Sequence, residues 1–182
     1  MASNKASARR AALFTFDHKH PCRSSTMSST PSAQAARQEE AIVPKEHTAH
    51  AVLQDGMRFI GSADSGYTVA IDDSADSGGG SATTPVELAL IALAGCAGMD
   101  VISILRKQRQ PVRGLEVRAH GQRRDDLPKI FTTIELHFIV RGGGIAPSAI
   151  ERAIELTQTR YCSVWGMLAP QAAITPSFEI VE

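Results

Sequence analysis

Cysteine is scarce in this chain: Cys22, Cys96 and Cys162 are the only three in 182 residues. Three such scattered thiols exclude a disulfide framework. They suit a reducing compartment, so a cytoplasmic location is expected. Net charge is missing as well. Lysine plus arginine balance aspartate plus glutamate to a formal charge of zero, which excludes a general nucleic-acid binder with its basic surface. No uncharged apolar run reaches the about 20 residues of a bilayer span, so no membrane partner is expected. Metal-ligand spacing is absent too. His47 and His50 stand three apart on a predicted strand and therefore face opposite sides, and His120 and His137 are isolated. Without paired cysteines or histidines, neither a metal site nor a cofactor is expected. Gly78-Gly79-Gly80 lacks the Gly-Lys-Ser/Thr ending of a phosphate loop and reads as a flexible linker.

The length allows one domain with a solid core. Residues 1–44 stand apart from the rest, rich in Ala, Ser, Thr, Gln and Arg and without hydrophobic periodicity beyond Ala11-Ala12-Leu13-Phe14. They read as a disordered extension. Lys5, Arg9, Arg10 and Lys19 against a single early acid, Asp17, loosely match an organellar transit peptide. The plainer reading, an unstructured extension with Met27 as the true start, is preferred. Cys22 belongs to this stretch and to no site.

Residues 45–182 are expected to form the folded domain, organised around Thr84 to Gln108. Thr84 is a good N-cap, Pro85 falls at the first helical position, and Glu87 completes a capping box. From Leu88 to Met99 no side chain is charged or strongly polar. A helix apolar all round is a buried helix. Gly95 and Gly98 flank Cys96, each costing ~1 kcal/mol against alanine, and a close approach by another element is expected to compensate. Pro111 stops the helix.

Strands are expected at 47–54, 57–62 and 66–71, with Asp55-Gly56 as the first hairpin turn. After the central helix come strands at 114–123 and 130–140, a helix from Pro147 to about Arg160, a short helical turn to Leu168, and a last strand at 174–181. Strands cluster rather than alternate singly with helices, so the class is α+β, with two small antiparallel sheet parts around a long buried helix. One small sheet covers one side of such a helix. A second copy is inferred to cover the rest, giving a two-fold homodimer.

Thr84-Pro85-Val86-Glu87-Leu88 leading to Ala94-Gly95-Cys96, then Asp100-Val101-Ile102-Ser103-Ile104-Leu105, then Tyr161-Cys162-Ser163-Val164, together resemble the OsmC/Ohr family. Within it the chain looks most like the YhfA-like branch, and the ending Ile174 to Glu182 fits that branch. The resemblance spans about residues 47 to 182. It implies an intertwined homodimer that reduces organic hydroperoxides in oxidative stress defence, with Cys96 attacking the peroxide, Cys162 closing a disulfide, and a thiol or dithiol reductant resetting the pair. In the hydroperoxide-reducing branches a glutamate follows the motif proline and pairs with an arginine from the N-terminal sheet. Val86 occupies that place here and Glu87 comes one residue later, about 100° around the helix. Glu87 and Arg58 are the candidates for that pair.

The residues set their own conditions on this chemistry. Peroxide reduction needs a thiolate, and a thiol buried among Leu and Ala has a raised pKa. Cys96 therefore needs a cation, for which Arg58 and Arg160 are candidates. Asp100, at i+4 from Cys96, shares its helix face and opposes a thiolate unless paired. The bland reading of Cys96 is a small core residue, that of Cys162 a buried residue at a helix start, and that of Glu87 the capping box alone. The alternative function is a non-catalytic dimer that binds a small apolar ligand or senses thiol oxidation.

Overall fold

A computed structural model describes residues 45–77 and 79–182. The expected disordered extension, with Cys22, lies outside the described residues.

Three strands come first: β1 (Ala49–Asp55), β2 (Arg58–Ala63) and β3 (Thr68–Ile71), antiparallel in the order β1-β2-β3. Gly56 turns the first hairpin at φ +55°, a conformation glycine adopts without cost. β1 starts after His47 and Thr48 because Asp64 ties them down: it accepts the backbone N–H of Thr48 at 3.1 Å and pairs with His47 at 3.3 Å. Every residue of β1 is exposed.

The loop after β3 is a tight turn rather than an open linker. Gly79 donates to the Ser74 carbonyl and Gly80 to that of Asp73. A Cβ on Gly79 would come within 2.5 Å of the Asp73 carbonyl oxygen, so close backbone approach explains the glycine. Asp72, 6% exposed, accepts from the backbone N–H of Asp73 and from both the N–H and the hydroxyl of Ser81.

Helix α1 (Pro85–Lys107) starts as the capping box predicts. The Glu87 N–H donates to Thr84 Oγ1 at 3.3 Å and the Thr84 N–H to Glu87 Oε2 at 2.8 Å. One expectation about this helix is corrected. Its apolar character runs on through Leu105, interrupted by one acid, so by length and composition it reaches a membrane span. Within the single chain it is buried along one side. Leu93, Ala97, Val101 and Leu105 form one stripe at 0% exposure, while Ile91 and Met99 on other faces are 57% and 68% exposed. The stripe recurs every fourth residue and belongs to the core of the chain. One chain supplies packing partners for that side only.

Strands β4 (Gly114–Arg123) and β5 (Phe131–Arg141) pair antiparallel, with Val117 opposite Phe138 and Ala119 opposite Leu136. Then come α2 (Pro147–Leu156), a wider π-type turn at Thr157–Tyr161, α3 (Ser163–Leu168) and β6 (Ala173–Val181). β6 runs parallel to β5, Phe138 beside Phe178, so the second sheet is mixed rather than wholly antiparallel. The helical connection makes this possible, because parallel neighbours need a long crossover rather than a tight hairpin. Ile134, Leu136, Phe138 and Val140 of β5 meet the α1 stripe, Ile150 and Trp165 in one core. Each such side chain contributes roughly 1.5–3 kcal/mol by burial. Gly98 lets α1 approach this sheet: an added Cβ would lie 3.2 Å from Val117 Cγ2. Nothing lies within 4 Å of the corresponding point on Gly95, so within the chain only Gly98 shows the expected close approach.

Candidate active site

Cys96 and Asp100 stand one turn apart on the same face of α1. Cys162 arrives from a different direction. The π-type turn at Thr157–Tyr161 widens the end of α2, and the Cys162 N–H donates to the Thr157 carbonyl at 3.0 Å. Thr157 is wholly buried, and its hydroxyl donates to the Ala153 carbonyl at 2.8 Å, fixing the start of that turn. Cys162 becomes the N-cap of α3, its Sγ accepting the Trp165 N–H at 3.4 Å, while the Trp165 ring is locked in the core. The Sγ atoms of Cys96 and Cys162 and a carboxylate oxygen of Asp100 then all lie within 4.8 Å of one another.

The two thiols are free and unequal: Cys96 is half-buried and Cys162 buried. Burial, then hydrogen bonding with Cys96, pushes the Cys162 thiol up to about 12, with Cys96 and Asp100 adding negative charge and the Trp165 N–H partly offsetting them. Such a thiol is protonated at neutral pH and supplies a hydrogen-bond donor rather than a first nucleophile. Burial alone pushes the Asp100 carboxyl up. Among the described residues its buried Oδ2 has no hydrogen-bond partner.

The other sequence-predicted residues lie elsewhere. Glu87 is held by Thr84: its Oε2 accepts the Thr84 N–H at 2.8 Å and the hydroxyl at 2.9 Å, and these bonds hold its carboxyl below the usual range. That is the helix cap. Arg58 opens β2, and the effect of its charge falls on Asp72. Arg160 lies over the Tyr161 ring at 5.7 Å. Among the described residues, no cation contributes to the raised thiol of Cys162. Val86, in the family's glutamate position, lines an apolar cleft of about 310 Å³ with Ala89, Phe131 and Met167. The wide turn and the Trp165 donor had no signal in the sequence. The i+4 spacing of Asp100 was the one visible mark of its part in the cluster.

Fold and site together define a dithiol α+β domain, in which a cysteine on a long central helix meets a second at the start of a short one. The OsmC-like protein family matches residues 78–177, and the chain belongs to that family. It is 41% identical over 127 residues to protein YhfA of Escherichia coli K12, covering 70% of this chain and 92% of that one. A crystal structure of a hypothetical protein from Aquifex aeolicus VF5 aligns at 28% identity and TM-score 0.68, over 76% of this chain and 98% of the other. An organic hydroperoxide resistance protein OsmC from Legionella pneumophila shares the fold at 15% identity and TM-score 0.56, over 75% and 98%.

Proposed function

We propose that the chain is a thiol-dependent peroxidase that reduces organic hydroperoxides in the cytoplasm, as a homodimer, in defence against oxidative stress. The observation that carries this reading is the convergence of the Cys96 and Cys162 sulfurs from separate elements of an OsmC-like fold. Solved structures with the same fold include proteins named for organic hydroperoxide resistance. The half-buried Cys96 attacks the peroxide as a thiolate. Its sulfur takes one peroxide oxygen, the O–O bond breaks, and the alkoxide leaves as an alcohol after protonation. Cys96 is then a sulfenic acid. The buried Cys162 thiol attacks that sulfur and water departs, leaving a disulfide. A thiol or dithiol reductant restores both thiols. Glu87, which also holds the helix cap, and Arg58 are the candidates for the pair that activates Cys96 in the homodimer.

The test is consumption of cumene hydroperoxide with a dithiol reductant. Wild type is expected to turn over, Cys96→Ser to be inactive, and Cys162→Ser to stop at the sulfenic acid after one turnover. Wild type no faster than Cys96→Ser would remove the enzyme reading. A second reading, a non-catalytic binder of a small apolar ligand, is favoured by an apolar groove of about 500 Å³ under the first sheet, lined by Ala51, Val69, Ile71 and Leu88. Ligand-induced thermal stabilisation without peroxide turnover would support it.

A further inference from the structure

The Cys96–Asp100–Cys162 cluster contains more than a dithiol needs. A disulfide-forming pair requires two sulfurs. Here the half-buried Asp100 brings a carboxylate oxygen to the same point, and among the described residues its Oδ2 is buried without a donor. A buried polar atom without a partner calls for a cause, and an ion is one of the few available. Three acid-forming, metal-ligating groups therefore converge at one point. The peroxidase steps use the two sulfurs and leave Asp100 without a role.

We propose that the reduced pair, together with Asp100, is a site for a borderline-soft divalent cation of the zinc class. The spacing fits. Zinc bonds sulfur at about 2.3 Å and carboxylate oxygen at about 2.0–2.2 Å, so its ligand atoms stand roughly 3.4–4.5 Å apart. The three atoms here lie within 4.8 Å of one another, close to that range. Two thiolates select against magnesium and calcium, which take oxygen ligands. Three protein ligands leave a fourth position for water, the pattern of an exchangeable rather than a closed structural site. Binding replaces the two thiol protons, which pass to water, by two metal–sulfur bonds. While the cation is held, neither sulfur is available for oxidation. Oxidation to a disulfide in turn removes both sulfur ligands. Metal uptake by the reduced chain does not depend on peroxide turnover, so the two readings stand or fall separately.

Cobalt(II) is the probe, added to the reduced full chain without air. The expected result is a thiolate-to-cobalt charge-transfer band that saturates at one equivalent per chain and is bleached by zinc. Cys96→Ser and Cys162→Ser should each abolish it, prior oxidation of the pair should abolish it, and Cys22→Ser should leave it intact. Asp100→Asn should weaken binding by more than the roughly 10-fold that losing an outer-shell partner costs. A second measurement avoids variants: zinc should slow alkylation of the half-buried Cys96 in the native wild-type chain. Absence of a saturable band, loss of the band in Cys22→Ser, unchanged affinity in Asp100→Asn, or alkylation of Cys96 at the same rate with and without zinc would each overturn the assignment.

Discussion

Two cysteines of one chain differ here because of where each backbone holds its side chain. Cys96 faces outward enough from α1 to be half-buried, whereas Cys162 is sealed beneath α3 at 5% exposure. A neutral alkylating reagent at neutral pH should therefore modify Cys96 first, and Cys162 only on unfolding, as peptide mapping by mass spectrometry would read. Equal labelling of the two in the native chain would contradict the burial. Asp72 offers a separate check. Hydrogen bonds from Ser81, then from Asp73, hold its carboxyl below the usual 3.8. A folded-state value below the unfolded one makes the ionised form stabilising. That contribution is complete above the unfolded value and is lost as pH falls through the folded one. Asp72→Asn should lower the melting temperature near neutral pH, and the gap from wild type should close as pH falls through the folded-state value. A gap that persists in acid would mean that shape rather than charge matters there. Of the residues in the site, Cys96 and Asp100 could be paired from their spacing alone, since four residues make one helical turn. Cys162 could not, because its position depends on a π-type turn that Thr157 and its neighbours do not announce.

Helix α1 was the most readable element, and its start the most readable part, because Thr84, Pro85 and Glu87 each satisfy a local rule that needs no tertiary partner. Thr84→Ala removes the oxygen that accepts the Glu87 N–H and should cost about 1 kcal/mol in denaturant unfolding, with cysteine labelling in the native state unchanged. A cost near zero would mean that water caps the helix as well as Thr84 does. Packing between elements was far less visible. Gly121 in β4 looks like an ordinary strand glycine, yet a Cβ there would come within 2.5 Å of the Phe131 ring and 3.2 Å of Leu90. Gly121→Ala should destabilise the fold by roughly 1–3 kcal/mol, the usual range for overpacking a core. The direction of β6 had no local signal, since a connection through two helices allows either parallel or antiparallel pairing with β5. Clustered strands elsewhere in the chain drew the reading toward antiparallel pairing instead.

The chain as a whole leaves apolar surface that it does not cover. Ile91 and Met99 stand out on α1, and Val52, Leu53 and Val69 on the first sheet. Along α1, Ile91, Gly95, Gly98, Met99 and Ile102 border an open groove of about 600 Å³ with Leu115 and Val117. Apolar patches of this kind on a folded chain mark interaction surfaces. The sequence demanded cover on every side of this helix, and one chain provides it on one side, so the unmet remainder is the argument for a second copy. Gly95 tests the inference in a way that distinguishes the two states. In a lone chain nothing lies within 4 Å of an added Cβ, so Gly95→Ala should stabilise the helix by ~1 kcal/mol through propensity alone. If two copies meet across this face, the same methyl intrudes between them, and Gly95→Ala should weaken association and lower a melting temperature that depends on protein concentration. The homodimer proposal expects the second outcome, together with conversion to a single-chain mass in light scattering when Ile91 and Met99 are both changed to lysine. A concentration-independent melting temperature that rises in Gly95→Ala would show instead that the exposed face of α1 has no second copy against it.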